Sequence, residues 1–308
     1  MKEFLFVLAL AALPAAASFA ASGTAIPGGN QAAPFVISKP GAYYLAADRV
    51  MTDPSKNAIE VAASDVTLDL NGYTLRFSSD EGTGLAISAG TIYNLEIRNG
   101  SIAYLPSTAI SVWSGENVRI IDVRIHDSAT GFGITSGAAN TLVERCHISL
   151  VNKYAVNLWS GTGDVIRNNQ IVNCTNGIHA SANARVSHNT VQQIPGNGIE
   201  VGGESLIDHN TVLYANKNRS TTGGGIVATG ALSTVRDNLV EGFNGMVSAE
   251  GLCLFENNMV SVWDAGATAF INLAGSGARC TRVNNRYYVV SGTVSSGTWV
   301  DAGGNISL

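Results

Sequence analysis

The chain has 308 residues, of which 45% are hydrophobic and only 13% charged, with 18 Lys and Arg and a net charge of -5. So few basic residues argue against a nucleic-acid partner, whose phosphates need clustered cations. Low charge with 34 glycines suits short strands and tight turns better than helices.

The first twenty residues read as a targeting segment. Lys2 precedes an unbroken apolar run over residues 4–13, and a string of alanines ends in Ser18-Phe19-Ala20. That is the layout of a secretory signal peptide, with cleavage expected after Ala20. The run is shorter than the roughly 20 apolar residues that span a bilayer, so no membrane span is expected. No cysteine follows it to carry a lipid. A secreted or periplasmic location is expected.

Residues 21–57, with strands over 34–37 and 43–45, read as an N-terminal cap. A short segment then recurs. Ala58-Ile59-Glu60-Val61, Ala86-Ile87-Ser88-Ala89 and Ala109-Ile110-Ser111-Val112 are early copies. Gly177-Ile178-His179-Ala180 and Gly198-Ile199-Glu200-Val201 are later ones. From Ile59 to Met246 the mean period is about 23 residues, in the range of solenoids. Leucine-rich and helical repeats are excluded, because neither of their periodicities is present. Each later period also ends a strand in Asn-x-apolar, at Asn169, Asn189, Asn210, Asn238 and Asn258, and Asn284-Asn285 closes the series. Stacked parallel coils would bring these asparagines about 4.8 Å apart, in a hydrogen-bonded ladder. The sequence therefore predicts an all-β fold of about ten parallel coils over residues 58–286. Residues 287–308 read as a C-terminal cap that protects the last strand edges.

Lys39-Pro40-Gly41-Ala42-Tyr43-Tyr44-Leu45 and Asp65-Val66-Thr67-Leu68-Asp69-Leu70-Asn71-Gly72-Tyr73-Thr74-Leu75 resemble the opening of secreted bacterial right-handed parallel β-helix proteins of the pectate-lyase-like superfamily. The resemblance covers roughly residues 34–290. It implies a right-handed helix and work on polysaccharide. It does not imply one reaction, since the superfamily includes lyases, hydrolases, epimerases and proteins with no shown activity.

Side chains alternate in and out along each strand, so the residue after the inward Ile of each repeat faces outward. Coil by coil that column reads Glu60, Ser88, Ser111, Thr135, Asn157, His179, Glu200, Val227 and Val247. Two residues further along lie Trp113, Gly137 and Trp159. Asn157, Trp113 and Trp159 suit sugar binding, because rings pack on sugar faces and amides bond hydroxyls. His179 and Glu200 fall in adjacent coils, where the carboxylate is expected to hold the imidazole and raise its pKa. Lys153 and Tyr154 lie at the edge of this face. Lys217 and Arg219, in an insertion over 214–224, are candidate cations for an acidic sugar.

Two functions follow: a glycan-binding β-helix, or a lyase that cleaves a uronic-acid polymer by elimination. For the lyase the base would be His179, Tyr154 or Lys153. A hydrolase is disfavoured, since Glu60 lies six coils from Glu200, roughly 29 Å away, whereas paired carboxylates work at about 5–9.5 Å. Lyases of this superfamily often use calcium, but no acidic cluster here resembles such a site, and no cofactor is expected. His188 and His209, in register before the ladder, make with Asp237 a weak metal-binding pattern. Cys253 and Cys280 each lie five residues before a ladder asparagine, which places them in one column of adjacent coils and predicts a disulfide. Cys146 and Cys174 share no column and are expected to be free.

Overall fold

The computed structural model describes residues 23–220, 223–262, 264, 266–273, 279–289 and 292–308. The signal peptide expected over residues 1–20 lies outside the described residues. Within them, every regular element is a strand, and no helix is long and apolar enough to cross a membrane.

Each coil visits three parallel sheets in turn. The first sheet stacks Phe35–Ile37, Ile59–Val61, the starts of Ile87–Leu105 and Ile110–Ser128, and then Ile134–Ser136, Tyr154–Leu158, Asn176–Ala180, Ile199–Val201 and Ile226–Ala228. Its inward column of Ile59, Ile87, Ile110, Ile134, Val156, Ile178, Ile199 and Ile226 is in register and fully buried. Full burial of such a side chain contributes about 1.5–3 kcal/mol, so one aliphatic per coil supplies both the register and much of the core.

The solenoid has about twelve turns, where about ten were expected. The extra coils come from the two segments read as caps. Thr24–Ile26, Gly29–Gln31 and Phe35–Ile37 pair in parallel with the following coil. Gly292–Ser296, Trp299–Asp301 and Ile306–Ser307 extend the three sheets at the other end. Their short strands bury few residues, so the inward alternation is faint in sequence.

The asparagine ladder is present at the turn from the second sheet to the third. Asn169, Asn189, Asn210, Asn238, Asn258, Asn285 and Asn305 each accept, through Oδ1, the Nδ2–H of the asparagine one coil before or, at Asn169, the Cys146 backbone N–H, at 2.9–3.1 Å. The residue before each of the first six is left-handed, with φ of 59° at Asn168, 57° at His188, 56° at His209 and Asp237, 53° at Asn257 and 54° at Asn284. Asn, Asp and His are the side chains that best tolerate this conformation. The polar column ahead of the ladder is thus explained by turn geometry. His188 and His209 stack with parallel rings 5.0 Å apart. The described residues contain no group of three or more His, Cys, Asp or Glu that could hold a metal ion.

Leu254 pairs with Thr281, so Cys253 and Cys280 occupy one column in adjacent coils. They are buried side by side as two thiols in hydrogen-bonding contact. Cys146 and Cys174 are also free and buried, and burial pushes both thiols up to about 12.

Candidate functional site

Asn157, His179 and Glu200 are aligned across three adjacent strands of the first sheet. Each is flanked by buried residues (Val156 and Leu158, Ile178 and Ala180, Ile199 and Val201), so the pleat turns all three outward. The site sequence reading located is therefore assembled, but its bonding differs from the expectation.

His179 does not bond Glu200. Its Nδ1 lies 2.9 Å from Asn157 Oδ1. Asn157 directs its Nδ2 at Thr135 Oγ1, 3.4 Å away, which leaves the amide oxygen for the imidazole. Nδ1 therefore carries the proton, and Nε2 keeps its lone pair. Burial pulls the His179 pKa below the ordinary imidazole value, and the opposing pull of the Glu200 charge is the smaller effect. The expected rise is thus reversed, because desolvation of the cation outweighs a carboxylate that is not in contact.

Glu200 Oε2 accepts the Tyr154 hydroxyl at 3.1 Å and Asn197 Nδ2 at 2.9 Å. Burial, and then the Glu200 charge, push the Tyr154 hydroxyl up to about 12. Tyr154 is thus held as a protonated hydroxyl that donates to Glu200. Lys153 places its ammonium 4.9 Å from the centre of the Phe132 ring, which stabilises the cation. Phe132 in turn stacks on Tyr154 at 6.5 Å and 14°, and Tyr154 meets His179 at 5.6 Å. The Phe132 and Tyr154 rings thus link Lys153 to His179.

Trp113 and Trp159 lie two coils apart, yet their rings approach to 5.6 Å. The intervening coil permits this because it carries Gly137. A Cβ there would sit 2.6 Å from Trp159 Cζ2 and 2.4 Å from the Trp113 carbonyl. Both rings remain open to solvent, 67% exposed at Trp113 and 43% at Trp159. Trp159 follows Asn157 by two residues, so the ring pair borders the polar cluster.

Arg219 and Lys217 contact other side chains. Arg219 bonds Asp264 Oδ2 at 2.9 Å and covers the Phe243 ring. Lys217 lies over the Tyr214 ring at 5.8 Å. The outward column also ends earlier than expected, since Val227 and Val247 form a small buried cluster with Ile271.

Sequence reading missed Phe132 and Asn197. The signal for Asn197 was there. Asn57 holds Glu60 through the same Asn-x-x-Glu spacing, at 3.0 Å. In both cases the amide oxygen accepts a backbone N–H of the next coil, Leu85 or Gly224. Phe132 had no comparable signal, because the residue before the repeat's small residue varies from coil to coil.

A family model described as "Right handed beta helix region" matches residues 52–213. The chain belongs to the right-handed β-helix family. This β-helix protein is similar in fold to a tailspike protein of E. coli bacteriophage HK620 in complex with pentasaccharide, at 12% identity and a TM-score of 0.67, over 87% of this chain and 60% of that one. It is also similar to an alginate lyase from Paenibacillus sp. str. FPU-7, at 14% identity and a TM-score of 0.57, over 85% of this chain and 93% of that one. The Dettilon tailspike protein aligns at 16% identity and a TM-score of 0.61, over 92% and 60%. The chain thus spans about 60% of the length of these tailspike chains. No curated protein sequence matches it.

Proposed function

We propose that this β-helix is exported and binds an extracellular polysaccharide along its first sheet, between the tryptophan pair and Glu200. The observation that carries the reading is the Trp113–Trp159 pair, exposed and held 5.6 Å apart beside Asn157 and His179. Exposed rings next to amide and imidazole groups match the apolar faces and hydroxyl edges of a sugar. A pentasaccharide-bound tailspike and an alginate lyase share the fold, which supports glycan as the ligand class. The test is retention of the protein on immobilised polysaccharides. Trp159→Ala should weaken it by about 0.5–1.5 kcal/mol beyond lost area, with the fold intact. Unchanged retention would remove the reading. Export is tested by amino-terminal sequencing of the secreted product, which should begin near Ala21.

One observation favours elimination as a second reading. His179 is neutral, with Nε2 unprotonated, and the Phe132 and Tyr154 rings connect it to the Lys153 ammonium. On a uronic-acid polymer Nε2 would take the proton at C5 while Lys153 pairs with the carboxylate. The C5 electron pair then forms the C4–C5 double bond as the C4–O bond breaks and the departing oxygen takes a proton from water. New ultraviolet absorbance from the unsaturated product, lost in His179→Ala, is the expected sign.

A further inference from the structure

An open groove of about 490 Å³ lies at the corner between the third sheet and the first. It is separate from the Trp113–His179 face, but it abuts it. Its lining residues Asn152 and Thr175 immediately precede Lys153 and Asn176 in the chain, and Pro195 lies two residues before Asn197.

The groove follows one column. Leu105, Ser128 and Val151 are in register on the third sheet, so Tyr104, Asp127 and Leu150 before them are aligned too. Asn173 and Gln193 continue the row in the next two coils, and all five are left-handed, with φ of 51°, 60°, 56°, 54° and 58°. Five coils at one strand spacing give a row about 19 Å long. Asp127 and Asn173 are natural occupants of such a position. Tyr104 and Leu150 are not, since a bulky side chain there costs about 1–2 kcal/mol. The conformation turns both outward, leaving Tyr104 53% and Leu150 52% exposed, where neither helps the core. Strain of this kind at an exposed position is one sign of a functional site.

The polar lining has one character. Asp80 and Asp127 supply carboxylates, Asn152, Asn173 and Gln193 supply amides, and no Lys or Arg lines the groove. Asp127 Oδ2 is held 2.7 Å from His126 Nδ1. Carboxylates and amides bind hydroxyls, and a lining with two carboxylates and no Lys or Arg disfavours a uronate. We infer that this corner groove is a second glycan site, taking an uncharged stretch of sugar that packs on Tyr104 and Leu150 and bonds the amide row. The inference rests on the reading of the protein as a polysaccharide binder. It adds a sugar preference opposite to that of the Lys153 side.

The experiment compares wild type, Trp159→Ala, Tyr104→Ala/Leu150→Ala and Asp127→Asn on an array of neutral polysaccharides and polyuronates, with thermal melting as the fold control. The double variant should lose about tenfold in retention on neutral glycans, the equivalent of about 1.4 kcal/mol, and none on polyuronates. Asp127→Asn should gain retention on polyuronates. If the double variant holds every neutral glycan as wild type does, or wild type holds none, the groove is not a glycan site. If Trp159→Ala is also silent, the first-sheet reading falls as well. A Trp159→Ala loss alone would leave that reading standing and overturn only the groove.

Discussion

The Tyr154 hydroxyl reaches Glu200 Oε2 at 3.1 Å, although 46 residues separate the two in the chain. Their coils are not neighbours, because the coil that carries His179 lies between them. The bond therefore fixes the borders of the His179 site from both sides and commits Glu200 before any ligand arrives.

That commitment has a titration signature. The raised Tyr154 pKa means the folded state holds this proton more tightly than the unfolded chain does. Its stabilising effect is complete below about pH 10 and is lost as pH rises to about 12. A phenolate absorbance titration should show one late tyrosine, absent from Tyr154→Phe. An unchanged curve in the variant would contradict the Glu200 contact.

His179 should behave in the opposite sense. Its folded pKa is lowered, so the unfolded chain binds the proton better. Stability from this group is complete above the ordinary imidazole value and falls as pH drops below it. An NMR titration should place the His179 midpoint under that value. Asn157→Ala should disturb the tautomer, visible in the ring nitrogen shifts.

Gly137→Ala should separate the tryptophan pair without removing either ring. The added Cβ meets the Trp113 carbonyl at 2.4 Å, and backbone cannot yield cheaply. The expected outcome is lower stability, by about 1–3 kcal/mol, a changed tryptophan emission and weaker glycan retention. Wild-type retention would show that the ring spacing is irrelevant.

Asn210→Leu should lower the melting temperature sharply. Asn210 Nδ2 donates to Val186, Asp208 and Asn238, and its Oδ1 accepts from Asn189. Each buried group left without a partner costs about 1–3 kcal/mol. Denaturant unfolding measures the sum.

Mild oxidation by a disulfide reagent should link Cys253 to Cys280 and leave Cys146 and Cys174 reduced. The two thiols are in contact, and the Cys280 hydrogen bond holds the Cys253 thiol below its ordinary value, so Cys253 supplies the thiolate. Peptide mass spectrometry under non-reducing conditions decides the pairing.

The coil was legible because two independent columns, the inward Ile59–Ile226 series and the asparagine series, repeat in phase. The outward alignment of Asn157, His179 and Glu200 followed from that phase alone. Bonding within the site did not. Whether His179 turns to Asn157 or Glu200 depends on Tyr154 and Asn197 already holding the carboxylate, and strand periodicity carries no information on rotamers. Lys217 and Arg219 were placed by loop proximity, but Asp264, from a later coil, redirects Arg219. The corner groove was hidden for a further reason. Its row is defined by backbone handedness at Tyr104 and Leu150, residue types that do not announce it.

The spacing between successive ladder asparagines is 20, 21, 28, 20, 27 and 20 residues. The amide contacts barely change across that range, so every added residue is absorbed elsewhere in the coil. One edge of the molecule is thereby held to a fixed pitch while the opposite corners are free to lengthen. Insertions and deletions are filtered by position, tolerated where Asn216 and Asn244 anchor the loop beside the first sheet and rejected at the ladder. Such a chain can diversify what it recognises, coil by coil, without renegotiating how it folds.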